Sequence, residues 1–203
     1  MEEQLIYFAD LFGTLIFAVT GALKGIARKL DLLGVIVLGC TVGVGGGIMR
    51  DAAIGATPAA ALSNETYLFV CIGAGLVVFF LPRRWLQWHT EAITYLDAVG
   101  LGVFTALGNA KAAACGLPSI TIVLSGVLTA VGGGIIRDVL VNEIPQVLKS
   151  DFYATAALIG GVCYLLLSAL ELPIFPLFLS VLLLVTLIRI WAYRRKLQLP
   201  RPR

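Results

Sequence analysis

Long apolar stretches occupy most of this chain, and charged or turn-forming residues fall mainly between them. Read as helices in lipid, the runs predict seven membrane spans: Leu5–Leu23, Leu32–Gly55, Tyr67–Leu81, Ala92–Ala110, Ile120–Val141, Phe152–Leu170 and Ile174–Tyr193. The third run is short for a span. The seven define an all-α polytopic membrane protein formed as a single membrane domain over residues 1–203.

Composition agrees with the pattern. Hydrophobic residues make up 59% of the 203, charged residues only 13%, and mean hydropathy is +0.96, values that a soluble core of this size does not require. A span needs about 20 apolar residues, so seven spans leave no room for a separate soluble domain. The first run follows two acids, Glu2 and Glu3, rather than a basic leader, and no small-residue cleavage site follows it, so it reads as retained. Cys40, Cys71, Cys115 and Cys163 are scattered without CxxC spacing, which predicts small buried hydrophobes rather than disulfides or a metal site. The net charge of +3 comes largely from a tail at 194–203, with Arg194, Arg195, Lys196, Arg201 and Arg203 beside the last span, which points to membrane orientation and not to nucleic acid. Lys24, Arg28, Lys29, Arg83, Arg84 and Lys149 share that side, giving an outside N-terminus and a cytoplasmic C-terminus. Trp85, Trp88 and Trp191 suit an interfacial belt, and His89 is read as solvated.

A shift of 87 positions lays the first half on the second without a gap. Asp10 falls on Asp97, Phe17 on Phe104, Lys24 on Lys111, Gly45–Gly47 on Gly132–Gly134, Arg50-Asp51 on Arg137-Asp138 and Pro58 on Pro145. The repeats are 5–84 and 92–170, and the last helix, 174–193, stands outside them. Three spans per repeat is an odd number, so the second copy enters the bilayer from the opposite side. Inverted repeats of this kind characterise many transporters, with sites near the midplane.

The stretch TVGVGGGIMRD, Thr41 to Asp51, sets three glycines and an Arg-Asp pair deep within a span. Glycine costs about 1 kcal/mol against alanine within a helix, so three in equivalent places mark a break or a close contact. A break near Gly45–Gly47 and Gly132–Gly134 would open half-helices at Ile48 and Ile135, with their amides aimed into a cavity. Arg50 and Arg137 need water or a partner at that depth, with Asp10, Asp97, Asp51 and Asp138 as candidate counter-ions and pairing between helices preferred. Close packing at the glycines and ion-pair locking of the bundle are the plainer alternative. Lys24 and Lys111 are read as interfacial, or else as pore-mouth or lipid-headgroup contacts. Thr41, Ser125 and Thr129 supply hydroxyls near the glycines. No HExxH or GxSxG is present and only one histidine, which argues against an enzyme and calls for no cofactor.

The doubled GGGIMRD and GGGIIRD, in two three-span repeats with a seventh span, resemble the trimeric intracellular cation channel (TRIC) family, especially its bacterial members. That resemblance implies a homotrimer in the bacterial inner membrane, with a pore in each subunit conducting potassium or another monovalent cation. It implies kinks at Gly45–Gly47 and Gly132–Gly134 in the second and fifth helices, and a pore bordered by Arg50 and Arg137. The partners expected are a second and third copy of the chain, lipid and permeating K+ or Na+ near the hinges. The same bacterial domain is also described as a glycine transporter domain, and helix N-termini beside arginines suit a carboxylate. Transport of glycine or another small zwitterion therefore stands as the alternative function.

Overall fold

The computed structural model describes residues 2–82, 89–149 and 152–197. Nine helices occur among them: α1 Glu2–Ala27, α2 Leu32–Ala53, α3 Ala60–Ser63, α4 Thr66–Phe80, α5 His89–Ala114, α6 Ser119–Leu140, α7 Gln146–Lys149, α8 Ala154–Ser168 and α9 Ile174–Arg195. Five of these, α1, α2, α5, α6 and α9, are long and apolar enough to cross a membrane. Helices α4 and α8 have 15 residues each, so at 1.5 Å per residue each reaches only about 22 Å, short of a hydrocarbon core of roughly 30 Å.

The second set of helices repeats the first. α1 and α5 have the same length and begin 87 residues apart, as do α2 and α6, while α3 with α7 and α4 with α8 agree to within a residue. The short helices α3 and α7 are absent from the sequence expectation, which treats both segments as connections. The expected tail also needs correcting: Arg194 and Arg195 form the last turn of α9, where cations are favoured by the helix dipole, and the helix stops at Lys196 in a left-handed conformation. Arg83, Arg84, Trp85, Trp88, Arg201 and Arg203 lie outside the described residues, as does the side chain of His89.

The expected break at the glycines does not occur. Helix α2 is continuous from Leu32 to Ala53 and α6 from Ser119 to Leu140. The glycines act as contact surface instead. A Cβ on Gly133 would lie 2.5 Å from the Val42 carbonyl oxygen, and one on Gly46 would collide with the Thr129 carbonyl oxygen. Val42 and Thr129 are themselves equivalent under the repeat, so one backbone crossing of α2 and α6 is made twice. Without side chains at these points the two helices approach more closely than any other residue permits. Half-helix amides at Ile48 and Ile135 are therefore not released to a cavity.

The centre of the bundle is aromatic. Phe17 and Phe104, both fully buried, pack at a tilt of 56° with ring centroids 4.9 Å apart. Phe17 fills the notch at Gly100, and Phe104 approaches to 3.0 Å the position a Cβ would take on Gly13. Outward faces carry Phe69, Val77, Phe80, Leu166, Leu187 and Trp191, exposed apolar side chains that suit lipid. Cys71 is buried as expected, Cys40, which packs against it, and Cys163 are part-buried, and Cys115 is exposed because it sits in the turn that ends α5.

Candidate functional site

Two charge clusters form around the repeated Arg-Asp pairs, one at each end of the bundle. At the end that holds the N-termini of α1 and α9, Arg50 Nε donates to Asp51 Oδ1 at 2.8 Å, and its Nη2 lies 4.0 Å from Asp10 Oδ2. Lys111, brought in by α5 from the other repeat, donates to the same Asp51 Oδ1 at 2.7 Å. The second oxygen, Asp51 Oδ2, accepts from the backbone N–H of Ala60 at 3.0 Å and so caps α3. Tyr67 donates its hydroxyl to Asp10 at 3.0 Å.

At the opposite end Arg137 Nε donates to Asp138 Oδ1 at 3.0 Å and its Nη1 to Asp97 Oδ1 at 2.7 Å. The same nitrogen lies 3.4 Å from the Thr20 hydroxyl. Asp138 Oδ2 accepts from the Gln146 N–H at 2.8 Å and caps α7, the counterpart of the Asp51 cap on α3. Tyr153, fully buried, lies under the guanidinium of Arg189, which stands 5.0 Å from its ring centroid.

The structure thus brings the six repeated Arg and Asp residues into these two clusters, with contacts both between helices and within one helix. Neighbouring residues on a helix diverge by about 100°, yet each arginine reaches both its own neighbour and an acid on another helix, because the guanidinium carries five donors on a long stem. Lys24 and Lys111 are not simply interfacial. Lys24 bonds Glu143 at 2.8 Å, Arg28 bonds the same carboxylate, and Lys111 bonds Asp51, so each lysine ties one repeat to the other. Glu143, outside the helices, is held down to about 2, first by its hydrogen bond from Lys24 and then by that from Arg28. Of the three hydroxyls near the glycines, Thr41 donates back to Val37 at 2.7 Å on a part-exposed face, while Ser125 and Thr129 are buried.

Four contributors escape the sequence reading: Tyr67, Tyr153, Glu143 and Arg189. Tyr67 lies in the first turn of α4 and Tyr153 just before α8, one position out of register, so a shift of 86 rather than 87 would pair them. Arg189 is a cation inside the seventh apolar run, which is signal enough to look for what it meets there.

The first cluster opens to a cavity. A cleft of 470 Å³ is lined by Tyr7, Asp10, Arg50, Tyr67, Lys111 and Ile174, among others. Asp10, Arg50 and Tyr67 also line a space of 10 Å³, about one water molecule, beside Gly43, Gly47 and Phe104. A smaller cleft of 140 Å³ at the other end is lined by Lys24, Arg28, Ile93, Thr94, Glu143 and Gln146. Between the two ends lie the Phe17–Phe104 pair and the glycine crossing of α2 and α6. The charges around the large cleft balance: Arg50 and Lys111 against Asp10 and Asp51. Among the described residues no group of acids, histidines and cysteines could hold a metal ion.

Known proteins share this architecture. The family model described as "Glycine transporter" matches residues 7–83 and again residues 94–169, two matches that begin 87 residues apart. A UPF0126 membrane protein of Vibrio cholerae is 39% identical over 200 residues, covering 98% of this chain and 84% of the relative. The UPF0126 inner membrane protein YadS of Escherichia coli K12 is 38% identical over 201 residues, with 97% and 96% of the two chains covered. Among solved structures, a TRIC cation channel matches with a TM-score of 0.87 at 37% identity over 97% of this chain and 96% of the other. The trimeric intracellular cation channel orthologue of Rhodobacter sphaeroides matches with 0.89 at 34% identity over 95% and 99%. The repeated helices, the doubled Arg-Asp clusters and these likenesses agree on one assignment: the chain belongs to the bacterial branch of the trimeric intracellular cation channel family, whose membrane domain is described as a glycine transporter.

Proposed function

We propose that this protein is a monovalent cation channel, conducting chiefly potassium, that works as a homotrimer in the inner membrane with one pathway in each subunit. The observation that carries the reading is the cleft at Asp10, Arg50 and Lys111, whose walls at Asp10, Arg50 and Tyr67 also line a small space beside Gly43, Gly47 and Phe104. Its likeness to solved TRIC cation channels over nearly the whole chain supports that use. Two cations beside a cation pathway are tolerable because Asp51 and Asp10 neutralise them locally, and selectivity follows from such local groups rather than from net charge. In this reading the five long helices and the shorter α4 and α8 together form the span set, with the N-terminus outside.

Opening, in this reading, separates α2 from α6 at Gly45–Gly47 and Gly132–Gly134 and displaces the two rings. The helices are uninterrupted α-helix in the form described, and the glycines supply a low-cost place to bend. Lys111 and Asp51, each from a different repeat, form a bond that such a movement would strain.

A second reading is a carrier for glycine or another small zwitterion. One observation favours it: the large cleft offers the Arg50 guanidinium and the Asp10 carboxylate side by side, partners for a carboxylate and an ammonium. Clefts at both ends with a sealed centre also suit alternating access. Planar-bilayer recording under a potassium gradient, with labelled-glycine uptake into liposomes from the same preparation, separates the two. Unitary currents reversing near the potassium potential are expected. Silent bilayers with saturable glycine uptake would replace the channel by the carrier.

A further inference from the structure

The two halves differ in chemistry along one buried seam. Between α1 and α2 the seam carries Ala18, Ala22, Leu38 and Val42, all buried and apolar. Their equivalents between α5 and α6 are Thr105, Asn109, Ser125 and Thr129, every one of them polar and no more than 5% exposed. A buried polar group left without a partner costs about 1–3 kcal/mol, so four such replacements at one interface ask for a use.

Two of the four satisfy themselves. The Thr105 hydroxyl donates to the Leu101 carbonyl at 2.7 Å and the Thr129 hydroxyl to the Ser125 carbonyl at 2.6 Å. The other two do not: Asn109 Oδ1, Asn109 Nδ2 and Ser125 Oγ find no hydrogen-bond partner among the described residues. They stand where the backbones of α5 and α6 meet at Gly108 and Gly126. A Cβ on Gly126 would collide with Asn109 Oδ1 and lie 2.9 Å from the Thr105 carbonyl oxygen, and one on Gly108 would lie 2.5 Å from the Thr129 hydroxyl and 2.7 Å from the Ser125 carbonyl oxygen. The glycine crossing is thus ringed by oxygens, all of them neutral. Neutral amide, hydroxyl and carbonyl oxygens can stand in for the hydration shell of a small monovalent cation, whereas calcium and magnesium sites draw on carboxylates. The seam also touches the candidate pathway, since the Thr129 carbonyl abuts Gly46 of α2.

We propose that the α5–α6 seam at Asn109 and Ser125 binds a partly dehydrated potassium or sodium ion, at a site the first half of the molecule has lost or never had. The proposal rests on the cation-channel reading and assigns that reading a coordinating residue away from the Arg-Asp clusters. Asn109 Oδ1 and Ser125 Oγ serve as ligands, and a bound water or a shift of α6 meets the amide nitrogen.

The test uses the full-length protein in detergent, melted in KCl, in NaCl and in N-methyl-D-glucamine chloride at equal ionic strength. A small cation that binds the folded state raises Tm with its concentration. Wild type is expected to melt higher in potassium or sodium than in the bulky cation, and Asn109→Ala combined with Ser125→Ala to lose that difference. Asn109→Asp keeps the shape of the side chain and places a charge on the ligand oxygen, so the concentration giving half the shift should fall about tenfold. Ser125→Ala alone, a small change at a helix contact, guards against a double variant that fails to fold. A wild-type melt indifferent to the cation, or a difference that survives the double substitution, would overturn the proposal and leave the seam holding water alone. Bilayer recording separates this from the wider reading. Silent wild-type bilayers would end the channel and not the ion site, and a potassium conductance unchanged in Asn109→Ala would place the site off the pathway.

Discussion

Arg50 and Arg137 make the same bond to the aspartate that follows them, and each aspartate caps a short helix with its other oxygen. What surrounds the two pairs is different. Asp97 is 2% exposed and bonds Arg137 directly at 2.7 Å, with Tyr153 and Arg189 close by, whereas Asp10 is 13% exposed, stands 4.0 Å from Arg50 and faces an open cleft. One cluster is a dry joint and the other is the wall of a cavity. Duplicated residues have therefore kept their local geometry while the solvent around them has diverged, and solvent decides whether a charge holds the fold or meets a ligand.

The sharpest way to test that contrast is to remove the equivalent acids. Asp97→Ala leaves Arg137 buried with Asp138 alone, and losing a partner from a buried pair typically costs about 3–5 kcal/mol. Asp10→Ala should cost less, because that carboxylate stands 4.0 Å from Arg50 at the edge of the cleft and Arg50 keeps its bond to Asp51. Thermal unfolding of both purified variants measures the difference, and equal losses would erase the distinction between joint and wall.

The glycines give a smaller but more pointed comparison. Gly133→Ala would push a methyl against the Val42 carbonyl and should destabilise by about 1–3 kcal/mol. A Cβ on Gly47 would meet only Arg50 Nη2, at 3.7 Å, so Gly47→Ala should preserve stability or raise it by up to about 1 kcal/mol. If the glycines are hinges, Gly47→Ala will nonetheless lower open probability in single-channel recordings. Unaltered gating in that variant would leave close packing as their whole purpose.

Lys111 and Lys24 are equivalent lysines with different partners. Lys111→Met removes a positive charge from the wall of the large cleft and leaves Asp51 bonded to Arg50 and the Ala60 N–H, and should change unitary conductance or gating, while Lys24→Met at the far end should change neither by as much. The smallest effect is expected at Glu143. Its carboxyl is held below the ordinary range in the folded protein, so its ion pairs contribute stability that is complete above about pH 4.5 and is lost as pH falls toward 2. The pair is partly exposed and worth about 1 kcal/mol at most. The unfolding free energy should fall less between pH 6 and pH 3 in Glu143→Gln than in wild type, by part of that amount.

Much of this was open to reading before any coordinates. The shift that superimposes Asp10 on Asp97 and Gly45 on Gly132 also superimposes α1 on α5 and α2 on α6, because repeated sequence under the same lipid constraint folds in the same way. The charged residues of both clusters stand out because ionisable groups within apolar runs are rare. What could not be read is how the backbone passes the glycines. Three in a row are equally consistent with a break and with a close crossing, and only the approach of Val42 and Thr129 from the opposite helix decides it. The roles of Tyr153 and Arg189 depend on α9 closing over the second half, a tertiary fact with no local signature. The polar seam at Asn109 and Ser125 was visible only in part, since Ser125 draws notice as a hydroxyl while Asn109 gains its meaning from the alanine that stands opposite it in the other repeat.

The central ring pair bears on how such a molecule could arise. Phe17 enters the notch at Gly100 and Phe104 the notch at Gly13, so each half carries both the knob and the hole of one joint. A surface that presents both is complementary to itself, which is the condition for two identical chains to close around a two-fold axis. An ancestral three-helix protein inserted in both directions could have formed that dimer before its gene was doubled, and the joined chain then became free to vary one side of the axis at a time.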